Sequence, residues 1–235
     1  TVKEEEKAWL TVVNKPLLAL YLSETSGKAH GGVLIAPQVT QYPSSRGIIN
    51  SLRHTLADHH WHTLTLDLTS TIHSDGSMDE DRAQKAITAG IKYLNQQGVY
   101  NIAILGEGIG AAHALHFVAT LPEASKNSSE IQQIRALIMI NAQNKIPNST
   151  TNTLKAFEKV KLPILDAYSG SDFHSQQQAK QRKNAGRHLN RFHQQVRLPQ
   201  TALFQTGYEN RITKRIRGWL DKNVAGFMVQ EQISR

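Results

Sequence analysis

Residues 101–115 read NIAILGEGIGAAHAL, an apolar run feeding a glycine-rich turn and then a stretch of small, helix-compatible residues. Two chemistries use such a strand–turn–helix. In a nucleophile elbow, G-x-S-x-G, the third position is a serine held on a tight turn so that its hydroxyl stands clear of the sheet. Here that position is Gly108, flanked by Glu107 and Ile109. The same residues, from Gly106 through Gly108 to Ala111, also satisfy G-x-G-x-x-A, a loop that lets a dinucleotide pyrophosphate approach a helix N-terminus. That loop ordinarily lies on the first strand of its unit, with a ribose-binding carboxylate about 20 residues on. At least two strand–helix units precede Gly106, and the next strand runs out into Asn141-Ala142-Gln143 with no carboxylate. The elbow reading fits the chain better, so no nucleotide cofactor is expected.

Other side chains are candidates for chemistry. Glu107 points from the elbow toward a cleft in the expected geometry, and a desolvated carboxyl there would serve as a general base near neutral pH. The bland alternative is a solvated or salt-bridged carboxylate. His113 and His116 lie three apart on the following helix, a spacing that can share one face, and the plain expectation is one packed, hydrogen-bonded ring and one exposed ring. No glutamate supplies an H-E-x-x-H zinc pattern there. His59, His60 and His62 cluster in HHWH, but they follow a helix and precede a strand. They therefore belong to the amino edge of the sheet, away from the edge where open α/β sheets bind ligands. Ser169 and Ser171 read as turn residues, and no metal site is expected.

The elements that must position these residues follow an alternating pattern after the first thirty residues, as in a mostly parallel sheet with crossover helices. LLALYLSE (17–24) closes an initial antiparallel pair. Strands follow at 32–37, 62–68, 101–105, 135–141, 162–170 and 191–198. Helical spacing of Ile49, Leu52 and Leu56 marks a helix in 46–61. Ser77 and Glu80 form a capping box ahead of Ala83, Ile87, Ile91 and Leu94, with Gly98 placed as the C-terminal cap. A basic helix is expected at 175–190 and a closing helix at 211–223, while 122–130 and 144–152 are polar loops.

A chain of 235 residues with 39% hydrophobic content supports one α/β domain over 1–235, with residues 1–10 as a flexible extension. Cysteine is absent, which excludes disulfides, thiolate catalysis and cysteine metal sites. No run approaches 18 apolar residues, and the first residues lack the basic and apolar regions of a signal peptide. The chain starts at Thr1, so an upstream segment is expected to have been removed. The formal charge is +8, much of it in 180–197 and 210–219. Such a surface attracts polyanions, yet no motif of zinc-ligand spacing or interleaved aromatics accompanies it, and nucleic acid is not an expected partner.

From about residue 10 to 225, the ordered blocks LLALYLSE, GGVLIAP, LRHTLADHHWHTLTLDL, LGEGIGA, LPILDAYSGSD and RIRGWL resemble the α/β-hydrolase superfamily. Within it, they look most like an uncharacterised bacterial family of exported hydrolase-like proteins. The resemblance implies a mostly parallel central sheet of about eight strands with helices on both faces. It also implies a triad in the chain order nucleophile, acid, base. Gly108 stands at the nucleophile position and cannot attack. Asp172 matches the acid position after the seventh strand. The base should follow the last strand, but PQTALFQTGYENR (199–211) holds no histidine, and the last of the 11 histidines is His193, inside that strand. The first strand of the parallel set leads into Pro37-Gln38-Val39-Thr40 rather than a His-Gly oxyanion loop, leaving the backbone N–H groups of Gln38 and Ile109 as an expected donor pair.

The expectation is a catalytically degenerate hydrolase-fold protein, acting as a ligand-binding or docking module in the bacterial periplasm or cell envelope. Its partner would be a small molecule or an envelope protein. The competing reading is a working hydrolase with a relocated nucleophile or a carboxylate-activated water, using Glu107, Asp172 and His113. A third is a binder of polyanions, or a peripheral contact with an anionic membrane, through Arg182, Lys183, Arg187 and Arg191.

Overall fold

The computed structural model describes residues 3–121, 134–146, 148–149, 151–170, 172–198 and 210–226, with backbone alone at 189–191. The polar loop expected at 122–130 lies outside them. So do Ser171, the Arg191 side chain and residues 199–209 of the base loop. The strands are β1 (Lys7–Val12), β2 (Lys15–Leu22), β3 (Gly31–Ala36), β4 (Trp61–Leu66), β5 (Ile102–Glu107), β6 (Ile134–Ile140), β7 (Ile164–Tyr168) and β8 (His193–Arg197). They form one eight-stranded sheet in the order β1-β2-β4-β3-β5-β6-β7-β8. The β1–β2 and β2–β4 pairs are antiparallel and the rest parallel. The helices are α1 (Ile48–Ala57), α2 (Glu80–Gln96), α3 (Ile109–Thr120), α4 (Thr153–Lys159), α5 (Phe173–Ala185) and α6 (Arg211–Asn223).

Alternation along the strands divides the core in two, because successive side chains leave opposite faces of a sheet. Leu34, Ile104, Leu137 and Ile164 point to the side covered by α2, α3 and α4. Val33, Leu105, Ile138 and Leu165 point to the side where Leu52 of α1 and Ile216 and Trp219 of α6 pack. The architecture is the expected one, a mostly parallel sheet with helices on both faces.

Three expectations need correction, and one helix goes beyond them. Residues 1–10 are not wholly a flexible extension, since Ala8 and Leu10 of β1 are buried core residues and the Glu6 carboxylate accepts from Arg53 Nη2 at 2.6 Å in a buried ion pair. The cap of α2 is Asp79, whose side chain accepts from Arg82 N, while Ser77 turns back to Asp75. Asp79 is one residue from the helix start and outcompetes the more distant serine. A short helix, α4, follows the 144–152 loop directly, capped by Asn152. Its apolar positions, Ala156 and Phe157, are too few to give a periodic signal.

The third correction concerns the basic segments. Arg182 is not a surface cation: it is 1% exposed, and its Nε and Nη2 grip both oxygens of the fully buried Asp166 at 2.9 and 3.0 Å. Its Nη1 donates to Ala142 O and Asn144 Oδ1. Gln195 Nε2 completes the Asp166 shell at 2.8 Å. Of the other late cations, Lys180 and Lys183 lie on α5, on the α2–α4 side of the sheet, and Lys214, Arg215 and Arg217 lie on α6, on the α1 side. Removing one partner of a buried, hydrogen-bonded pair leaves the other charge uncompensated, so Arg182→Met should cost on the order of 3–5 kcal/mol in denaturant melts. Lys183→Gln and Arg187→Gln, on the exposed surface, should stay within about 0.5 kcal/mol of the parent.

Candidate functional site

The carboxyl ends of β3, β5, β6 and β7 surround the turn from β5 into α3. Gly108 has φ 57° and ψ −118°, a left-handed conformation that a side-chain-bearing residue adopts only with strain. Its N–H donates to Ile140 O at 2.9 Å, and its carbonyl accepts from Gln143 N at 3.3 Å. The neighbouring glycines answer to contact. A Cβ on Gly106 would lie 2.4 Å from Ala111 Cα, and one on Gly110 would lie 2.2 Å from Pro37 O. This is the geometry of an elbow, built with no side chain at its apex.

The space beside the apex belongs to Gln38. Its Oε1 accepts from Ile109 N at 2.9 Å and would lie 2.5 Å from a Cβ placed on Gly108. The backbone N–H of Gln38 is turned to the Glu107 carboxyl, which it partly stabilises in its ionised form. Of the two donors expected to form an oxyanion pair, the Ile109 N–H is thus engaged by an amide oxygen, and the Gln38 N–H faces the Glu107 carboxyl. The signal in the sequence was an amide side chain at Gln38, in a loop that must pass next to the elbow.

Glu107 continues the face of Ala103 and Leu105, the α1–α6 side of the sheet. Its Oε2 is buried without a protein partner. Burial raises its pKa to about 7, with the Gln38 N–H opposing the shift. His113 is on the other side of the sheet, fully buried on α3, and neither ring nitrogen meets a protein partner. Burial lowers its pKa to about 4; the charged groups it feels are Glu80 and His116. The sheet therefore separates Glu107 from His113, and the structure does not assemble them as a carboxylate–imidazole pair. The expectation of one hydrogen-bonded and one exposed ring also gives way, since neither ring nitrogen of His113 has a protein hydrogen-bond partner and His116 is half-buried.

Asp172 caps α5, its carboxylate accepting from Ser175 N at 2.7 Å. His193 opens β8 opposite Ile164, at the amino end of the sheet, with its ring edge-on to Phe157 at 5.0 Å and burial lowering its pKa. It stands at the far end from Gly108. The HHWH cluster also lies at the amino edge. His59 Nδ1 meets Thr55 O at 2.7 Å, His60 Nδ1 meets Ser26 Oγ at 2.6 Å, and His62 Nδ1 meets Tyr21 Oη at 2.9 Å. Among the described residues no group of three His, Asp or Glu is placed to hold a metal ion. The buried acid that sequence reasoning missed is Asp166. A lone carboxylate inside the apolar run PILDAY was its signal, since a buried charge needs a partner.

The sheet order, the crossover helices and the elbow define an α/β-hydrolase fold. Solved structures of that fold superpose over nearly the whole chain. The dienelactone hydrolase from Anabaena variabilis does so with TM-score 0.70, 15% identity, and 93% of this chain and 97% of that one covered. Est1E from Butyrivibrio proteoclasticus gives 0.68, 15%, 93% and 98%, and an esterase from Pyrococcus furiosus gives 0.69, 13%, 92% and 90%. Residues 1–78 and 73–222 match the family described as "Protein of unknown function (DUF3530)", and the chain belongs to that family. No curated protein sequence matches it.

Two measurements test the site's physics. A Cβ at residue 108 meets both an unfavourable φ and the Gln38 amide, so Gly108→Ala should destabilise by about 1–3 kcal/mol. In a Gln38→Ala background the same change should cost less, because only the backbone term remains; equal costs in the two backgrounds would remove Gln38 from the account. The second test is pH dependence. Glu107, raised to about 7 from 4.5, contributes stability below pH 4.5 that is lost as pH rises through 7. His113, lowered to about 4 from 6.5, contributes stability above pH 6.5 that is lost as pH falls through 4. The two slopes oppose each other between pH 4.5 and 6.5. Glu107→Gln should uncover stability that rises with pH there, and His113→Leu stability that falls, each by on the order of 2–3 kcal/mol over its window.

Proposed function

We propose that this chain binds at its elbow cleft rather than cleaving there, as a hydrolase-fold module of the cell envelope that recognises a small molecule or a protein partner. The observation that carries the reading is the Gln38 amide. It lies where a nucleophile's side chain would project, and it engages the Ile109 N–H that a tetrahedral oxyanion would need. An enzyme cycling through an oxyanion would have to break that bond at each turnover. Gly108 adds no nucleophile, and Asp172 is committed to a helix cap. Two exposed aromatics, Tyr42 on the β3–α1 loop and Phe173 at the start of α5, rim the same edge of the sheet and suit contact with a partner.

A second reading has one observation in its favour. A half-buried Glu107 with one carboxyl oxygen shielded from solvent and pKa about 7 is matched to general-base work on a water molecule near neutral pH. The readings separate in one set of assays. Short-chain aryl esters, tested across about pH 6 to 9, should show no turnover above a Glu107→Gln control. The Gly108→Ser protein should not be labelled rapidly by a fluorophosphonate probe, because a serine without an adjacent base stays a weak nucleophile. Turnover in the parent that disappears in Glu107→Gln, with a pH limb near neutrality, would overturn the binding reading in favour of the second.

A further inference from the structure

We propose that the chain forms a two-fold dimer by pairing its edge strand β1 with β1 of a second copy, making one continuous sheet across both. β1 lies at an edge of the sheet, bonded only to β2. The hairpin between them turns through Val13 and Asn14, both left-handed at φ 51° and 55°, and closes on the Val12–Lys15 pair. The closing pair of a two-residue hairpin exchanges both its backbone bonds, and bonded pairs then alternate along the ladder. Leu10 and Ala8 therefore bond to β2, while Thr11, Trp9 and Lys7 aim their N–H and C=O groups outward. Leu18, opposite Trp9, confirms the alternation: its carbonyl turns away from β1 to accept from Asp67 N at 2.9 Å. Pro16, opposite Thr11, has no N–H to give.

The outward row is centred on Trp9, whose side chain is 64% exposed. Edge strands ordinarily carry charges or bulges that discourage pairing. This strand is regular along its ladder with β2 and carries an indole at its midpoint. Antiparallel pairing about Trp9 sets Trp9 against Trp9 of the second copy and Lys7 against its Thr11, so that no like charges face each other. The Lys7 ammonium comes diagonal to the opposing indole, where cation–π attraction operates. The ends are complementary as well. The strand begins beside exposed Glu4 and Glu5, held by surface pairs with Lys7 and Lys3, and its hairpin end carries exposed Lys15 and the Arg82 guanidinium at Val12 O. Antiparallel pairing brings each acidic start to the other copy's basic end; parallel pairing would not. This self-complementarity points to a second copy of the chain rather than a foreign strand.

The absence of cysteine makes the test direct. Across the two-fold axis the Trp9 Cα atoms should lie about 5.5 Å apart, within disulfide reach. The Thr11 Cα atoms should be separated by about 14 Å, beyond it. Trp9→Cys should therefore cross-link to a covalent dimer under mild oxidation, and Thr11→Cys should not. Light scattering on the parent chain should give a dimer mass, and Trp9→Lys, which opposes two ammonium groups on the axis, should give a monomer with unchanged circular dichroism. Thr11→Pro, which removes an outward N–H that β2 does not use, should also give a folded monomer. A parent that is monomeric at its highest soluble concentration would overturn the proposal. So would a dimer that survives Trp9→Lys, or cross-linking of the two cysteine variants to the same extent.

Discussion

The turn from β5 into α3 is the constraint around which the cleft is arranged. Three glycines at alternate positions shape it, and at two of them backbone meets backbone at distances that admit no Cβ. Gly106 lies under Ala111, Gly110 lies against the carbonyls of Ala36 and Pro37, and Gly108 takes a left-handed φ between them. Because α3 is drawn so tightly onto β3 and β5, its small residues can be buried on almost every side. The loop after β3 is forced past the apex, which is why the side chain at position 38 decides what the apex can do.

That loop supplies Gln38, and the consequence is a site whose polar groups answer one another. The Ile109 N–H, the Gln38 amide, the Gln38 N–H and the Glu107 carboxyl form a short chain of contacts at the carboxyl edge of the sheet. A site built for acyl transfer keeps its donors free for charge that develops during reaction. Here the Ile109 N–H is engaged in the resting state, and burial raises the pKa of the neighbouring Glu107 carboxyl to about 7.

A second constraint lies one strand further on. Asp166 is charged and buried in β7, and it is tolerable there only because Arg182 reaches it from α5 with two parallel bonds while also holding the backbone at Ala142. The α5 helix has little apolar surface with which to adhere to the sheet; Ala179 and Arg182 are its buried residues. The ion pair thus does for α5 what hydrophobic packing does for α6. It also turns one of the most conspicuous basic residues of the sequence into an interior one.

How far the sequence alone reached follows from the range of the forces involved. The strands, most of the helices, the sheet class and the elbow with a glycine at its apex were legible, because each is set by local periodicity, turn chemistry or the spacing of small residues. Helix α6 spans the residues expected for the closing helix, 211–223. The partners of Arg182 and Glu6 were not legible: Asp166 is sixteen residues from the first, and Arg53 is forty-seven from the second. Nor was the separation of Glu107 from His113, six residues apart in the chain but placed on opposite sides of the sheet when β5 ends and α3 begins. The sequence by itself determined that no serine stands at the apex and that no histidine follows the last strand, because those are matters of residue identity. Only the tertiary structure decided that Gln38 fills the space left at the apex. That contact joins loops seventy-one residues apart, and it exists only once β3 and β5 lie side by side.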